Sequence, residues 1–170
     1  TFVGLSIGGL IGQALAARRP GLLRALVLMD TAAKIGAAEM WTQRIEAIRA
    51  GGIAALEGPI MERWFTAPYR ASVPEFRLWC NMLTRTPREG YLGCCAAIAG
   101  ADLTESTRAL SLPVLALAGD QDGSTPPDLV RVTAALCGAD FALIAGAGHL
   151  PCVEQPAQTA RKIAEFLERT

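Results

Sequence analysis

The chain has 170 residues, 51% of them hydrophobic, and its 16 basic residues balance its 16 acidic ones. This size and composition predict one globular domain with a sizeable core. The lack of a basic excess argues against nucleic acid or an anionic membrane surface as a partner, and no apolar run is long enough to span a bilayer. No charged segment precedes an apolar stretch, so we expect no signal peptide.

Compact apolar runs bounded by glycine and proline alternate with helical patterns at the two ends of the chain. The strands are continuously apolar rather than alternating, which is typical of a parallel sheet covered by helices on both faces. The predicted elements, in chain order, are a strand at 1–4, a helix at 8–18, strands at 25–29 and 113–118, a helix at 126–137, a strand at 141–144 and a helix at 154–169.

The middle of the chain has helical periodicity and contains every tryptophan and tyrosine. Ligands of a parallel α/β sheet bind at the carboxyl ends of its strands, so a helical insertion between two strands would lie over that site as a lid. Most of its aromatic residues are expected to pack the lid against itself. The expected lid helices run over about 38–50, 53–65, 75–85 and 88–99. The sequence therefore predicts three parts: a core part at 1–35, a lid at 36–100 and a second core part at 101–170.

Cysteine usage indicates a reducing compartment. The five cysteines are odd in number and none forms a C-x-x-C pair, so we expect a cytoplasmic protein. A cysteine–histidine metal site is not expected, because the chain has only one histidine. Cys94 and Cys95 are expected to be small buried hydrophobic residues on a helix.

A G-x-S-x-G motif lies between the first predicted strand and the first predicted helix, at Gly4-Leu5-Ser6-Ile7-Gly8. In such a nucleophile elbow the serine occupies a sharp, strained turn. We expect glycine at positions 4 and 8 because a side chain at either place would collide with neighbouring backbone, and Gly9 adds clearance. The motif predicts Ser6 as a nucleophile.

His149 is the only histidine and the only candidate base that could take a proton from Ser6. It lies in a glycine-rich turn between the last predicted strand and the last helix, which places it at the same sheet edge as Ser6. A catalytic cysteine would need the same histidine, and no cysteine lies on an elbow-like turn. The sequence therefore favours Ser6 with His149.

Three aspartates follow predicted strands and could orient His149. Asp122 is preferred because its loop is long enough to turn the side chain towards the histidine. Asp30, directly after a strand, is an alternative, and Asp120 is a weaker one because it suits a turn. The chain order Ser6, Asp122, His149 is a known order for such a triad.

Only half of an oxyanion hole is predicted. One donor is the backbone N–H of Ile7 at the start of a helix. The second donor ordinarily comes from a loop after an earlier strand, and no such strand precedes Ser6 here. We therefore expect either a missing N-terminal segment or a companion chain, which would also cover the open edge of strand 1–4.

The elbow, the aspartate loop and the Gly146-Ala147-Gly148-His149 turn resemble the α/β-hydrolase superfamily along the whole chain. The resemblance implies the C-terminal part of an α/β-hydrolase fold, with parallel strands flanked by helices and an all-helical lid insertion. Within that superfamily the chain is similar to the 3-oxoadipate enol-lactonases. The runs that carry this closer similarity are DTAAKIG at 30–36, ERWF at 62–65, EGYLGCCAA at 89–97 and VEQP at 153–156.

This resemblance implies hydrolysis of a small lactone, 3-oxoadipate enol-lactone, to 3-oxoadipate in the breakdown of aromatic compounds. It implies an acyl-enzyme on Ser6 and requires no metal or organic cofactor. The substrate carries a carboxylate, so a cationic anchor is expected in the lid, and Trp64 is expected to form a pocket wall. The candidate anchors are Arg44, Arg63, Arg77, Arg85 and Arg88.

The same residues are compatible with other functions. Another lidded hydrolase, such as a carboxylesterase or a carbon–carbon hydrolase, would use the same residues, as would a haloperoxidase-like activity. An epoxide hydrolase is disfavoured because it would want aspartate at position 6. A non-catalytic fragment that keeps the fold is the alternative from a different class.

Overall fold

A four-stranded parallel sheet forms the centre of the computed structural model, which describes all of residues 1–170. The strands lie in the order β1-β2-β3-β4, and each neighbouring pair is parallel. The prediction of a parallel sheet is confirmed, and the strand positions agree with the sequence to within a residue or two. The strands are β1 at Phe2–Leu5, β2 at Leu26–Met29, β3 at Val114–Gly119 and β4 at Asp140–Ile144.

Helices cover both faces of the sheet. On one face, helix α1 (Ile7–Arg18) packs against β1 and β2, and α8 (Pro127–Leu136) packs against β3 and β4. On the other face, Phe166 of α10 (Pro156–Leu167) is buried against the central strands. Every residue of β2 and β3 is buried, because these strands lie between two layers of helices. At the edge strand β1, by contrast, Val3 is 47% exposed.

A helical segment, residues 36–100, lies between β2 and β3. Its core is made mainly of its own apolar side chains, joined by Leu150 from outside the segment, and Phe65 stacks on Tyr69 and contacts the rings of Phe76 and Trp79. The elements of the segment are α2 at Ala38–Gly51, a 3-10 helix at Ile53–Leu56, α3 at Glu57–Trp64, α4 at Ala67–Ser72, α5 at Phe76–Thr84 and α6 at Arg88–Ala99.

The predicted single helix over 53–65 is wrong. The chain forms the 3-10 helix first and α3 begins at Glu57, which puts Pro59 in the first turn, where a missing N–H costs nothing. Helix α4 was not predicted. It begins after Thr66, whose hydroxyl accepts a hydrogen bond from the Tyr69 N–H at 3.4 Å.

Two further differences lie outside the helical segment. A short helix α7, at Thr104–Arg108, was not predicted. The helix expected at 154–169 begins only at Pro156, as α10, and a separate short helix α9 (Pro151–Glu154), which was not predicted, precedes it. The break falls at Gln155, because the residue before a proline is disfavoured in the helical region, and here it has φ −133° and ψ 58°.

The cysteine expectation is half wrong. Cys95 is buried, whereas Cys94 is exposed, since neighbouring positions of a helix point about 100° apart. None of the helices is both long enough and apolar enough to cross a membrane.

Candidate active site

Ser6 occupies a strained turn between β1 and α1. Its φ is 53° and its ψ is −119°, in a region that residues with a side chain rarely adopt. The glycine at position 4 is required, because a Cβ there would overlap the carbonyl oxygen of Gly8. The same expectation for Gly8 is wrong. A Cβ at Gly8 would meet nothing within 4 Å, since that position of α1 faces open space.

The residues after β2 support the elbow. The hydroxyl of Thr31 donates a 2.7 Å hydrogen bond to the carbonyl of Ser6, and the Ser6 N–H donates to the carbonyl of Met29 at 3.0 Å. Gly9 lies against Thr31, where a Cβ would clash with the threonine side chain. The strained turn is therefore fixed by contacts with the neighbouring strand end.

His149 and Asp122 form a buried hydrogen-bonded pair at the carboxyl end of the sheet. The histidine Nδ1 lies 2.9 Å from Asp122 Oδ2. The helical segment holds the histidine as well, because the His149 N–H donates to the Trp64 carbonyl at 2.8 Å and the two rings stack at 6.3 Å. This pairing leaves Nε2 as the ring nitrogen that could face a nucleophile.

The loop after β3 keeps Asp122 ionised. The Ser124 N–H donates to Oδ1 and the Thr125 hydroxyl donates to Oδ2, both at 2.7 Å. Burial alone would raise the pKa of Asp122, but hydrogen bonds and the charge of His149 outweigh it and hold that pKa below its ordinary value. Thr125 was not predicted as a partner of Asp122, although it lies only three residues after the aspartate.

Asp120, one of the two alternative acids, has a structural role. Its Oδ1 accepts hydrogen bonds from the N–H groups of Gly146 and Ala147, at 2.9 and 3.2 Å. These bonds tie the loop after β3 to the turn that carries His149. Asp120 makes no hydrogen bond to the histidine itself, and its contacts are those of a turn residue.

Asp30, the other alternative acid, is fully buried and sits at a strained backbone position with φ 44°. Its Oδ1 accepts the Gly119 N–H at 2.8 Å, while its Oδ2 has no hydrogen-bond partner. Burial, and after it the negative charge of Asp122, raise the pKa of Asp30 to about 9. Asp30 therefore keeps its proton at neutral pH and is not the anion that orients His149.

Asp30, Asp122 and His149 bring their polar side-chain atoms within 4.8 Å of one another, which is also the spacing of a metal site. Their chemistry fits a hydrogen-bonded acid–base set better. Asp30 is neutral, and Asp122 Oδ2 already accepts hydrogen bonds from His149 and Thr125. A metal would have to displace these bonds and draw the proton from Asp30.

A cavity of about 410 Å³ opens where these loops meet. Ser6, Ile7 and His149 line it, and the helical segment supplies Trp64 to its wall, where the sequence analysis expected it. Ile7 is the first residue of α1, so its N–H has no partner within the helix and is free to donate. Ser6 and His149 share this cavity without a direct hydrogen bond between their side chains. Such bonds are often long before a substrate binds.

The structure divides the five arginines that were candidate anchors for a substrate carboxylate into two groups. Arg44 and Arg63 line the cavity and are half-buried. The other three lie on the exposed surface of the segment, outside the cavity: Arg77, Arg85 and Arg88.

Glu154 is a site-supporting residue whose role the sequence analysis missed. Its Oε1 accepts both the N–H and the hydroxyl of Thr66, at 3.0 and 2.6 Å. Its Oε2 accepts the N–H of Gly148, next to His149, at 2.6 Å. One carboxylate therefore joins the helical segment to the histidine turn. The only sequence signal was its place in the VEQP run.

A family model described as the alpha/beta hydrolase family matches residues 1–162. The chain belongs to the alpha/beta hydrolase family. Among curated relatives, this alpha/beta hydrolase is 34% identical to 3-oxoadipate enol-lactonase 2 of Acinetobacter baylyi, over 99% of the chain and 64% of that relative. The chain thus spans just under two thirds of the relative's length.

Solved alpha/beta hydrolase structures superpose closely on the chain. An enol-lactonase from Burkholderia xenovorans LB400 has a TM-score of 0.93 and 33% identity, covering 98% of this chain and 64% of that one. A thermophilic esterase from Thermogutta terrifontis has a TM-score of 0.90 and 29% identity, covering 98% and 64%. The α/β-hydrolase fold predicted from the elbow and the two loops is confirmed.

Proposed function

We propose that the chain carries the reactive centre of a serine hydrolase that opens 3-oxoadipate enol-lactone to 3-oxoadipate. The observation that carries the proposal is the buried His149–Asp122 pair, whose histidine lines the same cavity as Ser6 on its strained turn. The similarity to relatives named enol-lactonases supports the choice of substrate.

The reaction begins when the Ser6 hydroxyl oxygen attacks the lactone carbonyl carbon while His149 takes its proton. Ile7 N–H stabilises the negative charge that develops on the carbonyl oxygen. The ring C–O bond then breaks, and the enol oxygen leaves with the proton from His149 and tautomerises to a ketone. Water, deprotonated by His149, attacks the acyl-enzyme carbonyl; the bond to the Ser6 oxygen then breaks, that oxygen takes the proton back from His149, and the product acid is released. Asp122 keeps the histidine in the right tautomer throughout.

A second oxyanion donor comes from protein outside these 170 residues, either an N-terminal segment or a companion chain. The half-exposed Val3 on the edge strand β1 offers a place for another strand to pair, and the relatives are longer than this chain. One oxyanion donor contributes about 2.7–4 kcal/mol of barrier lowering, so residues 1–170 alone would turn over slowly. Native mass spectrometry of the protein isolated from its source would report the mass and any companion.

Residues 36–100 act as the lid of the site. The contacts that support this role are the Trp64 carbonyl on the His149 N–H and the Arg63 carbonyl, which accepts the N–H of Gly123 at 3.2 Å. Trp64 forms one wall against the bound lactone. The five free thiols suit a protein that works in the reducing cytoplasm.

The proposed chemistry is tested by lactone hydrolysis in a pH-stat and by labelling with a phosphonofluoridate. We expect label on Ser6, and we expect Ser6→Ala to lose both label and turnover by at least about 10³-fold. Ser111→Ala, at an exposed serine far from the cavity, is the matched control. Turnover that survives in Ser6→Ala would rule out the serine mechanism.

A carboxylesterase is the second candidate, favoured by the similarity to the Thermogutta terrifontis esterase. In a carboxylesterase, Ser6, Asp122 and His149 would perform the same chemistry on an open-chain ester. The two functions separate by kcat/KM, because an esterase would prefer simple aliphatic esters while the proposed lactonase would prefer the enol-lactone by a large factor.

A further inference from the structure

The wall of the active-site cavity carries two guanidinium groups and no carboxylate. Arg44 comes from α2 and Arg63 from the last turn of α3. Neither arginine forms an ion pair with an acidic residue of the chain. The rest of the lining is apolar or neutral, apart from His149. Two positive charges therefore stand in a mostly apolar cavity without a counter-ion.

The two arginines also influence each other. Burial, and after it the charge of Arg44, lower the pKa of Arg63. The Arg44 guanidinium lies 4.8 Å from the centre of the Trp41 ring, which holds it in place, and Tyr91 stands beside both arginines. Keeping two like charges close together costs free energy that a bound anion would recover.

The backbone at Arg63 is hydrogen-bonded to the two loops that carry Asp122 and His149. Its carbonyl accepts the N–H of Gly123, next to Asp122, and the following carbonyl, that of Trp64, accepts the N–H of His149. The backbone that carries the guanidinium is thus bonded to both loops of the acid–base pair. The backbone of Arg63 is therefore positioned relative to the acid–base pair, and its side chain lines the same cavity as Ser6 and His149.

We propose that Arg44 and Arg63 form a carboxylate subsite that selects substrates with an anionic acyl group over neutral ones of the same length. The role of this subsite in substrate selection rests on the proposed serine hydrolysis, but its binding of an anion can be measured without turnover. A guanidinium pair suits a carboxylate because each fork can donate two hydrogen bonds to it.

The first test uses two p-nitrophenyl esters of equal chain length, the mono-ester of adipate and the neutral ester of hexanoate. We expect Arg44→Met and Arg63→Met each to lower the ratio of the two kcat/KM values about 10-fold or more, mainly through KM for the anionic ester. Arg88→Met, which removes an exposed arginine paired with Glu89, should leave the ratio at the wild-type value.

Arg44→Lys and Arg63→Lys serve as second variants that keep the charge, and each should recover part of the ratio. A wild-type ratio in both methionine variants would overturn the subsite, as would an equal fall for the two esters. Rising salt should reduce the preference for the anionic ester, because ions screen the attraction.

The second test measures binding without turnover, by calorimetric titration of adipate into Ser6→Ala. We expect adipate to bind Ser6→Ala, and to bind the double variant Ser6→Ala/Arg63→Met about 10-fold or more weakly. Adipate binding without hydrolysis of any ester would keep the subsite and reject the proposed function. Hydrolysis without adipate binding, together with an unchanged ester ratio, would reject the subsite and keep the function.

Discussion

The carboxyl groups of Asp30 and Asp122 lie beside each other next to His149, yet one is protonated and the other ionised. Their oxygens and the histidine nitrogen are within 4.8 Å of one another. Asp122 has hydrogen-bond donors on both oxygens, whereas Asp30 has one on Oδ1 only. Two adjacent buried carboxylates cannot both hold a charge cheaply, so the proton stays on the acid with fewer donors.

Asp30→Asn should stabilise the protein increasingly as pH rises. The ordinary pKa of aspartate, 3.8, governs the unfolded chain, while the folded pKa is about 9. The stability that protonated Asp30 contributes is therefore complete below about pH 4 and is lost as pH rises towards 9. Within that window the wild type should lose up to about 1.4 kcal/mol per pH unit through this group, and the neutral amide should remove the slope.

Urea unfolding of wild type and Asp30→Asn between pH 4.5 and 8.5 measures this difference. The control is Asp128→Asn, which removes an exposed carboxyl. Parallel stability curves for wild type and Asp30→Asn would mean that Asp30 is ionised in the folded protein.

Asp122→Asn should reduce kcat far more than Asp30→Asn. An amide at position 122 can donate to His149 Nδ1, which favours the wrong tautomer and leaves no anion to stabilise the imidazolium. We expect a loss of about 10³–10⁴-fold for Asp122→Asn, and less than about 10-fold for Asp30→Asn. Ester hydrolysis at saturating substrate gives both values. Equal losses, or the reverse order, would transfer the role of the acid to Asp30.

Gly4→Ala and Gly8→Ala should have opposite effects on stability, although the G-x-S-x-G motif treats the two positions alike. A methyl group at Gly4 would overlap the Gly8 carbonyl, so the elbow must open. We expect a loss of more than about 3 kcal/mol. At Gly8 the methyl group meets nothing, and alanine is the better helix former by up to about 1 kcal/mol. Urea unfolding of the two variants checks this, and a similar loss in both would reject the open space at Gly8.

The sheet, and the place of Ser6 and His149 at one cavity, could be predicted because their signals are local in sequence. Continuous apolar runs identify the strands, and the order of elements places Ser6 and His149 at one sheet edge. The protonation of Asp30 could not be predicted, because it depends on Asp122, a residue 92 positions away, and on burial in the fold. The arginine pair could not be predicted either. Which arginines face the cavity depends on how α2 and α3 are rotated about their own axes, and the weak helical periodicity of this segment does not determine that rotation.

The wrong expectation for Gly8 has the same non-local origin, whereas the one for the last helix does not. A sequence motif gives the residue types at fixed positions. Whether a side chain at a glycine position would clash depends on the atoms that surround it in the folded protein. Gly4 faces the Gly8 carbonyl, whereas Gly8 itself faces open space. The break at Gln155 was readable from the proline that follows it, so a stricter use of local rules would have placed the start of α10 correctly.

Glu154→Gln should loosen the histidine turn and lower kcat with a smaller change in KM. Oε1 of Glu154 accepts hydrogen bonds from Thr66, and Oε2 accepts one from the Gly148 N–H. In glutamine an NH₂ group replaces one of these two oxygens, and it would face a hydrogen-bond donor at either place. We expect a loss of about 1–3 kcal/mol in stability, because a half-buried donor loses its acceptor. His149 follows Gly148 directly, so its ring would lose its fixed place beside Asp122 and kcat should fall several-fold.

Steady-state kinetics and urea unfolding of Glu154→Gln give both readouts in one variant. Glu165→Gln is the matched control, because it removes an exposed carboxylate on α10 that pairs only with Lys162. If Glu154 is only a solvated surface carboxylate with no structural role, Glu154→Gln and Glu165→Gln should behave alike. If it holds the histidine turn against the helical segment, Glu154→Gln alone should lose stability and kcat together, while the ratio between anionic and neutral esters stays at the wild-type value.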